Sequence, residues 1–529
     1  MKFLFVLFFT TVFCGISADL DKKWWKNTEI YDIVVSAYKD HDGDGFGDFE
    51  GIISKLDYIK ELGVNTIKLS PIFSWSEGIS PPYPIDDFKN THLSAGSLDD
   101  FDNLIAEANA RGMRVILDLV INHCSIEHEW FKKSQNKIEP YANYFIWTDN
   151  IKDEDLSESQ VWNQDETRKQ YYYHRFDKST ADLNLKNGAV KKEIKSIMKF
   201  WLDRGVSGFN LLHAEAYIEA ESAKEKGYPS FLEIENRPES YEFVHEIREF
   251  IDKYNEEEEG SERILIVEEK PVPEYPNLQG NHTYPMAHMV WRTVFQKDDD
   301  DVYWYFKSAN IKGVINNIME ANEVGPTMFI LEDSTLTRTP NRFQDRQYLD
   351  VWLTTLFTLP GIRHIYYGQE IGLSSWKFSP VQTTAMHWDE TINSGFTESE
   401  LIMYSPNVDY WKVNVKKLKD AEYSTLKSVR DLLHLRKSKV VQYGDLNTYA
   451  ISEYILAFTR SHGKEKLITI LNLSNVLHEV NLKRDIPERI SGKVQVVSSS
   501  PNSIHRKGDI IGQKSVVELR PVSAVVLRV

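Results

Sequence analysis

The sequence predicts an α/β fold: a (β/α)8 TIM barrel with an inserted B subdomain and a C-terminal antiparallel β-sandwich domain. Two observations predict the barrel: eight short runs of β-branched and apolar residues, and the amphipathic helical segments between them. Short alternating strands after about residue 443 predict the separate β domain. A chain of 529 residues is long enough for both.

Strand and helix candidates alternate along the chain. The predicted strands are YDIVVSAY (31–38), NTIKLSP (65–71), RVILDLV (114–120), GFNLL (208–212), RILIVEE (263–269), MAHMVWRTVF (286–295), TMFILED (327–333) and IRHIYYG (362–368). Amphipathic helices are predicted at 49–63, 97–112, 191–205, 240–254, 302–322 and 346–359, with Ser97 able to cap the second.

Changes in composition set the domain boundaries. Residues 1–18 have a basic start, an apolar core and a small-residue end, which predicts a cleaved secretory signal and an extracellular protein. The barrel is predicted over 19–121 and 185–442. A polar and aromatic excursion at 122–184 forms the inserted subdomain, and the β domain covers 443–529. No later segment predicts a membrane span.

Charge and cysteine content restrict partners and crosslinks. A net charge of −17 disfavours nucleic acids and anionic membrane surfaces. Because Cys14 leaves with the signal, Cys124 remains alone and is expected as a buried free thiol. The sequons at Asn281 and Asn472 are candidate glycosylation sites.

The stretch KDHDGDGFGD (39–48) alternates aspartates with glycines. Carboxylate and carbonyl oxygens at this spacing are typical of a Ca2+ site, since Ca2+ takes six to eight oxygen ligands. The predicted ligands are Asp40, Asp42, Asp44, Asp48 and the carbonyl of Phe46.

From Trp24 onward the chain resembles glycoside hydrolase family 13 of the α-amylase superfamily, above all insect maltases and other α-glucosidases, oligo-1,6-glucosidases and transporter heavy-chain ectodomains. The resemblance is carried by DHDGDGFGDFEGI, LGVNTIKLSPIF, DLVINHCSIEHEWF, ADLNL, RGVSGF, IYYGQEIG and MHWDETINSGF. It implies the barrel, an inserted subdomain after the third strand, the C-terminal sandwich and calcium in the Asp-rich loop.

Several catalytic motifs of that family are degenerate here. A retaining glycosidase needs a carboxylate nucleophile and an acid/base carboxyl group beside the scissile bond. The resemblance places the nucleophile at Leu212 and its orienting arginine at Asn210, and keeps the acid/base as Glu268. Leucine cannot form a glycosyl ester. Glu215, three residues further on, is too far along the chain to replace it.

Other sugar-gripping positions are also replaced. The family's NHD motif aligns with Asp333, Ser334 and Thr335, and the aspartate of its GYD motif aligns with Pro84. Asn122 and His123 are retained. Trp75, Tyr83 and Trp147 form a candidate aromatic platform, weighed against ordinary packing.

The sequence therefore favours a maltase-like protein that has lost hydrolysis and binds a small molecule, a carbohydrate or a protein at the former active-site mouth. The candidate ligand-binding residues are Tyr83, His123, Leu212, Glu268 and Arg338. Two alternatives remain open: an active α-glucosidase, and a transporter heavy-chain-like partner. A homo-oligomer also remains open.

Overall fold

The computed structural model describes residues 23–75, 83–149, 161–218, 238–268, 280–281, 284–295, 304, 306–324, 326–343, 345–376, 383–490, 492–512 and 516–529. The predicted signal at 1–18 lies outside the described residues. Strands are numbered in chain order: β1 (Glu29–Ile33), β2 (Thr66–Leu69), β3 (Phe73–Trp75), β4 (Ile85–Thr91), β5 (Arg114–Leu119), β6 (His123–Ser125), β7 (Trp147–Thr148), β8 (Trp162–Gln164), β9 (Tyr171–Tyr173), β10 (Thr180–Asp182), β11 (Gly208–Leu211), β12 (Ile264–Glu268), β13 (Gly280–Asn281), β14 (Tyr284–Pro285), β15 (Met289–Thr293), β16 (Thr327–Ile330), β17 (Ile362–Tyr366), β18 (Asp445–Ala450), β19 (Ile455–His462), β20 (Glu465–Asn472), β21 (His478–Asn481), β22 (Val494–Ser499), β23 (Ile510–Ile511), β24 (Val516–Leu519) and β25 (Ser523–Arg528).

Eight strands form a closed barrel in the order β1–β17–β16–β15–β12–β11–β5–β2. Each of the eight predicted strands contributes one of these barrel strands, so the predicted barrel is confirmed. Residues of the barrel strands are almost all buried, as expected where helices cover a parallel sheet.

The helices are α1 (Val35–Tyr38), α2 (Phe49–Ile53), α3 (Leu56–Leu62), α4 (Leu98–Ala110), α5 (Glu129–Gln135), α6 (Gly188–Asp203), α7 (Pro238–Glu257), α8 (Ser308–Val324), α9 (Thr339–Arg342), α10 (Gln347–Thr358), α11 (Val415–Asp420), α12 (Thr425–Arg436), α13 (Lys439–Tyr443) and α14 (Leu482–Asp485). Ser97 caps α4 as predicted: its hydroxyl accepts the Asp100 N–H (3.3 Å), while the Asp100 carboxylate accepts the Ser97 N–H (2.8 Å). None of the described helices is long and apolar enough to cross a bilayer.

Two predicted elements differ from the structure. The first strand ends at Ile33, and the chain turns into α1, where the Ala37 N–H donates to the Val34 carbonyl (3.0 Å). The helix predicted at 49–63 is two helices, because Lys55 between them leaves helical geometry with φ −116° and ψ 2°. The hairpin of β3 and β4 was not predicted.

The chain divides into two compact units. Met1–Lys26, Lys68–Ala110 and Arg114–Trp291 form the first unit; Asn27–Ile67, Arg111–Met113 and Arg292–Val529 form the second. In the first unit, β6 and β10 pair antiparallel, His123 opposite Asp182, and join the two ends of the polar excursion. The excursion also contains a three-stranded sheet, β7–β9–β8.

In the second unit, the C-terminal region is built from antiparallel sheets. One has the order β18–β19–β20–β25–β22–β23, and the other pairs β21 with β24. Ile468 and Val525 from the first sheet share a buried cluster with Val480 and Val517 from the second. The predicted C-terminal β domain is therefore confirmed, since residues of both sheets form one core.

Candidate functional site

The carboxyl ends of β11 and β12 carry the two positions where a glycosidase needs its carboxyl groups. The register pairs Leu211 with Val267, so Leu212 stands level with Glu268 on the neighbouring strand. Leu212 extends the pairing, since its N–H donates to the Leu119 carbonyl (3.2 Å). An aliphatic side chain and one carboxylate therefore stand side by side at this end of the barrel.

A buried polar network lies one layer deeper. The Lys68 ammonium lies 2.7 and 2.9 Å from the two carboxylate oxygens of Asp118, on the adjacent strand. The Asn210 amide donates to Asp118 (2.7 Å), and the Trp291 indole N–H donates to the Asn210 carbonyl oxygen (3.1 Å). All four residues are less than 9% exposed, so one cation, one anion and two neutral groups satisfy one another inside the barrel.

Sequence reasoning missed Lys68. A lysine between Ile67 and Leu69 in an otherwise buried strand is the signal that could have found it, because lysine is almost never buried unless paired. The position of Lys68 also explains why Asn210 can replace an arginine on β11. Lys68, on the strand at the other side of β5, supplies the positive charge that pairs with Asp118.

The side chains of the retained residues Asn122 and His123 contact other residues of the chain. The Asn122 amide donates to Asp182 (2.8 Å), and the buried His123 ring packs against Phe176 with centroids 5.1 Å apart. Phe176 in turn packs on His213 (4.7 Å). His123 is only 1% exposed, and its contact with a ligand stays a prediction.

Glu215 does not lie on extended backbone. It belongs to a 3-10 turn, Ala214–Ala216, that follows His213 in the left-handed conformation (φ 57°). The buried carboxylate of Glu215 lies 3.7 Å from the His213 ring nitrogen. The turn gives Glu215 a local partner, in agreement with the expectation that it does not replace the missing nucleophile.

In the second unit, Arg338 is fully buried rather than exposed to a ligand. Its guanidinium lies 3.5 Å from Glu332, donates to the Tyr367 carbonyl (2.9 Å) and stacks over the Tyr366 ring at 4.4 Å. These contacts are all within the chain, and the ligand-binding role of Arg338 stays a prediction. Glu332 is equally buried and accepts the Thr339 N–H (2.7 Å).

The degenerate NHD segment forms a local turn. The Asp333 carboxylate accepts the N–H groups of Thr335 (2.7 Å) and Leu336 (3.0 Å) and the Thr335 hydroxyl (2.8 Å). Ser334 is half-buried and Thr335 is exposed. The aspartate therefore stabilises its own loop.

The three candidate platform aromatics have separate neighbours. Trp75 stacks on His92 (4.3 Å) and meets the half-buried Tyr83 at 5.7 Å. Trp147 packs instead on Phe131 (5.4 Å). Pro84 is buried beside Tyr83, and Pro82 lies outside the described residues. Only Trp75 and Tyr83 remain together as an aromatic pair.

The Asp-rich loop lies in the second unit and gathers carboxylates. One ligand atom each from Asp40, Asp42 and Asp48 lie within 4.8 Å of one another. Burial raises the pKa of Asp48, and the neighbouring charge of Asp42 raises it further. This set of hard oxygen donors fits Ca2+. Asp44, also a predicted ligand, instead accepts the N–H of Phe46 (2.8 Å).

Backbone donors fix the shape of this loop. The Asp40 carboxylate accepts the N–H groups of Gly43 (2.7 Å) and Gly45 (2.9 Å). Gly45 has φ +95°, and a Cβ there would lie 2.0 Å from the Leu401 carbonyl oxygen, so no side chain fits. The Asp40 N–H donates to Phe396 (3.1 Å), which ties the loop to the segment after β17.

The remaining predicted sites have the following surroundings. Cys124 is buried and free, and burial raises the pKa of its thiol well above the ordinary value. Asn472 is fully buried, and its amide nitrogen donates to the carbonyls of Val476, Leu519 and Arg520. A glycan on that nitrogen would compete with these bonds, and the modification of Asn472 stays a prediction. Asn281 ends β13.

The fold and these residues define a (β/α)8 barrel of the glycoside-hydrolase kind. The chain belongs to the α-amylase family: the profile "Alpha amylase, catalytic domain" matches residues 32–444. It is 28% identical to Maltase 1 of Drosophila virilis, over 96% of this chain and 87% of the relative. It is 27% identical to the salivary α-glucosidase of Aedes aegypti, over 94% and 93%. The trehalose-6-phosphate hydrolase structure from Bacillus licheniformis has the same fold, with a TM-score of 0.80, 24% identity, and coverage of 96% and 99%.

Proposed function

We propose that this maltase-like barrel has lost glycosidase catalysis and acts by binding at the carboxyl end of its strands. The observation that carries the proposal is Leu212, level with Glu268 where a retaining glycosidase needs its second carboxylate. Without a second carboxylate at this position no covalent glycosyl intermediate forms there.

The network beneath supports this proposal. In place of an arginine that orients a nucleophile, Asn210 is held between Asp118 and Trp291. The charge of Asp118 is balanced by Lys68, so the polar layer is self-contained and offers a substrate no free charge.

The ligand is proposed to be less polar than an oligosaccharide. The family resemblance implies carboxylates at three positions that are here Leu212, Pro84 and Thr335. Apolar or neutral groups therefore replace charged ones. Trp75 and Tyr83 add an aromatic pair. The alternative ligand is a protein whose surface docks at the same carboxyl end of the barrel.

The related salivary α-glucosidase and the apolar segment at residues 1–18 support secretion. Asp40, Asp42 and Asp48 would hold calcium.

The rival function is an active α-glucosidase, which the names of the relatives favour. A chromogenic α-glucoside assay on the purified full chain separates the two. The expected rate is that of buffer alone, unchanged in Glu268→Gln. Turnover by the natural chain that is lost in Glu268→Gln would refute the loss of catalysis, because only a working acid/base would respond.

Binding is tested by native mass spectrometry of the secreted protein, which reports bound small molecules, calcium and subunit number together. The matched variants are Leu212→Trp and Leu93→Trp, since Leu93 is 93% exposed and takes the same added volume. The ligand should be lost from Leu212→Trp and kept by Leu93→Trp. Equal retention by both variants would contradict binding at this mouth.

A further inference from the structure

Three arginines of the second unit are buried together around a single buried carboxylate. Arg363 on β17 is 0% exposed, Arg436 at the end of α12 is 5% exposed and Arg460 on β19 is 1% exposed. Glu29, 6% exposed, stands opposite Arg363 in the β1–β17 register. Since a guanidinium stays protonated in proteins, the group carries an excess of two positive charges.

Each guanidinium nitrogen of Arg436 donates to an acceptor in the chain. Its Nε donates to Glu29 (3.0 Å), Nη1 donates to the Leu359 carbonyl (3.0 Å), and Nη2 donates to the Gly361 carbonyl (2.6 Å). The ion pair with Glu29 uses the one buried carboxylate of the cluster. Arg436 therefore needs no further partner.

Arg363 and Arg460 are not satisfied in this way. Arg363 donates Nη1 and Nη2 to carbonyls of residues 359–362, and Arg460 donates Nη2 to the Val441 carbonyl (2.8 Å). Among the described residues no acceptor lies within hydrogen-bonding distance of Arg363 Nε or of Arg460 Nε and Nη1. Asp445, the other acid near Arg460, is exposed.

Burying unpaired charge is costly, and the carbonyl oxygens supply only partial negative charge. The electrostatics agree with the geometry: burial, followed by the charges of Arg436 and Arg460, lowers the pKa of Arg363 well below the ordinary value. The second of these causes is repulsion between like charges, which a bound anion would offset.

We propose that the Arg363–Arg436–Arg460 cluster, at the amino end of β1 and β17, is a binding site for a small inorganic monoanion such as chloride. The unpartnered N–H groups of Arg363 and Arg460 donate to it, and Arg436 adds its charge. A monoanion is favoured over phosphate or sulfate because the desolvation cost rises steeply with ionic charge. The anion holds β19 of the C-terminal domain against β17 and α12.

The test is thermal unfolding of the full chain in chloride, nitrate and phosphate at constant ionic strength, with gluconate as the replacing anion. Chloride should raise Tm by about 1 °C for each tenfold increase above Kd. Arg363→Met should abolish this dependence. Lys464→Met, which removes an exposed cation from the β19–β20 turn, should keep it. An equal chloride response in the two variants would overturn the proposal, as would a response to phosphate alone.

A second measurement does not depend on the variants folding. Crystals of the natural chain grown in bromide should give an anomalous peak within hydrogen-bonding distance of Arg363 and Arg460. Bromide only at surface lysines, with none at the cluster, would refute the site.

Discussion

Asp118 and the three loop aspartates are carboxylates held in opposite ways. Asp118 lies inside the barrel with the Lys68 ammonium 2.7 Å away, so the chain supplies its own counter-charge. Asp40, Asp42 and Asp48 are brought within 4.8 Å of one another, which concentrates like charges in one loop. The first arrangement balances its charge within the chain, whereas the second would be stabilised by a bound cation.

This difference distinguishes the strand-end residues, where a reaction would take place, from the loop residues that shape the fold. Under the proposed function, the charges that would act on a substrate at the strand ends are replaced or paired within the chain. In the loop, Asp40, Asp42 and Asp48 keep the charges suited to a metal, and the Asp40 N–H donates to the Phe396 carbonyl. The proposal is therefore a barrel that loses a reaction and keeps an ion site.

Breaking the internal pair should have the largest effect. Lys68→Met leaves Asp118 charged and buried, so we expect a loss of about 3–5 kcal/mol in the free energy of unfolding, measured by urea denaturation. The exposed pair Lys132–Glu127 has the same 2.7 Å distance, and Lys132→Met should cost at most about 1 kcal/mol.

The double variant Lys68→Met/Asp118→Leu sharpens the result. Removing both charges should cost less than Lys68→Met alone, because no unpaired ion is left. A double variant less stable than Lys68→Met would contradict a charge-balanced pair.

Asp350 is another buried carboxylate, and it lies in the second unit. Burial raises the pKa of Asp350 on α10 to about 7. The unfolded chain has the ordinary value near 4, so between about pH 4 and pH 7 the folded state holds an extra proton and stability falls as pH rises. The free energy of unfolding should fall by about 4 kcal/mol between about pH 4 and pH 7. This fall should be absent from Asp350→Asn. Asp420→Asn, at an exposed position, should retain the slope.

Removing calcium should have a smaller effect. At free calcium one hundredfold above Kd, chelation should lower the free energy of unfolding by about 2.7 kcal/mol, measured with EGTA present and absent. Asp42→Asn should abolish this response, whereas Asp44→Asn, outside the carboxylate group, should preserve it. Equal losses in the two variants would restore Asp44 as a ligand.

The smallest effect is expected at Asp100, a half-buried carboxylate that accepts hydrogen bonds from the N–H and hydroxyl of the exposed Ser97. The Ser97 hydroxyl and N–H hold the pKa of Asp100 below its usual value. Ser97→Ala should cost about 1 kcal/mol, read as a small shift of the urea midpoint. A cost as large as that of Lys68→Met would contradict the contrast between half-buried and buried carboxylates.

Local patterns predicted much of the fold and part of the site. The eight barrel strands could be found because each is a short apolar run, and the loss at Leu212 because a motif fixes its position. The hairpin of β3 and β4 was missed, since β4 mixes buried and exposed residues without strict alternation. The buried contacts of His123 and Arg338 could not be predicted, because a motif gives residue identity but not exposure.

The sequence by itself determined the barrel strands, the C-terminal sheets and the aspartate loop, because each depends on residues close together in the chain. Only the tertiary structure decided which charges meet. Lys68 and Asp118 are 50 residues apart, and Arg363 and Arg460 come from a barrel strand and a C-terminal strand. Such pairings depend on strand order and burial, which fix the distance between charges and the strength of the field between them.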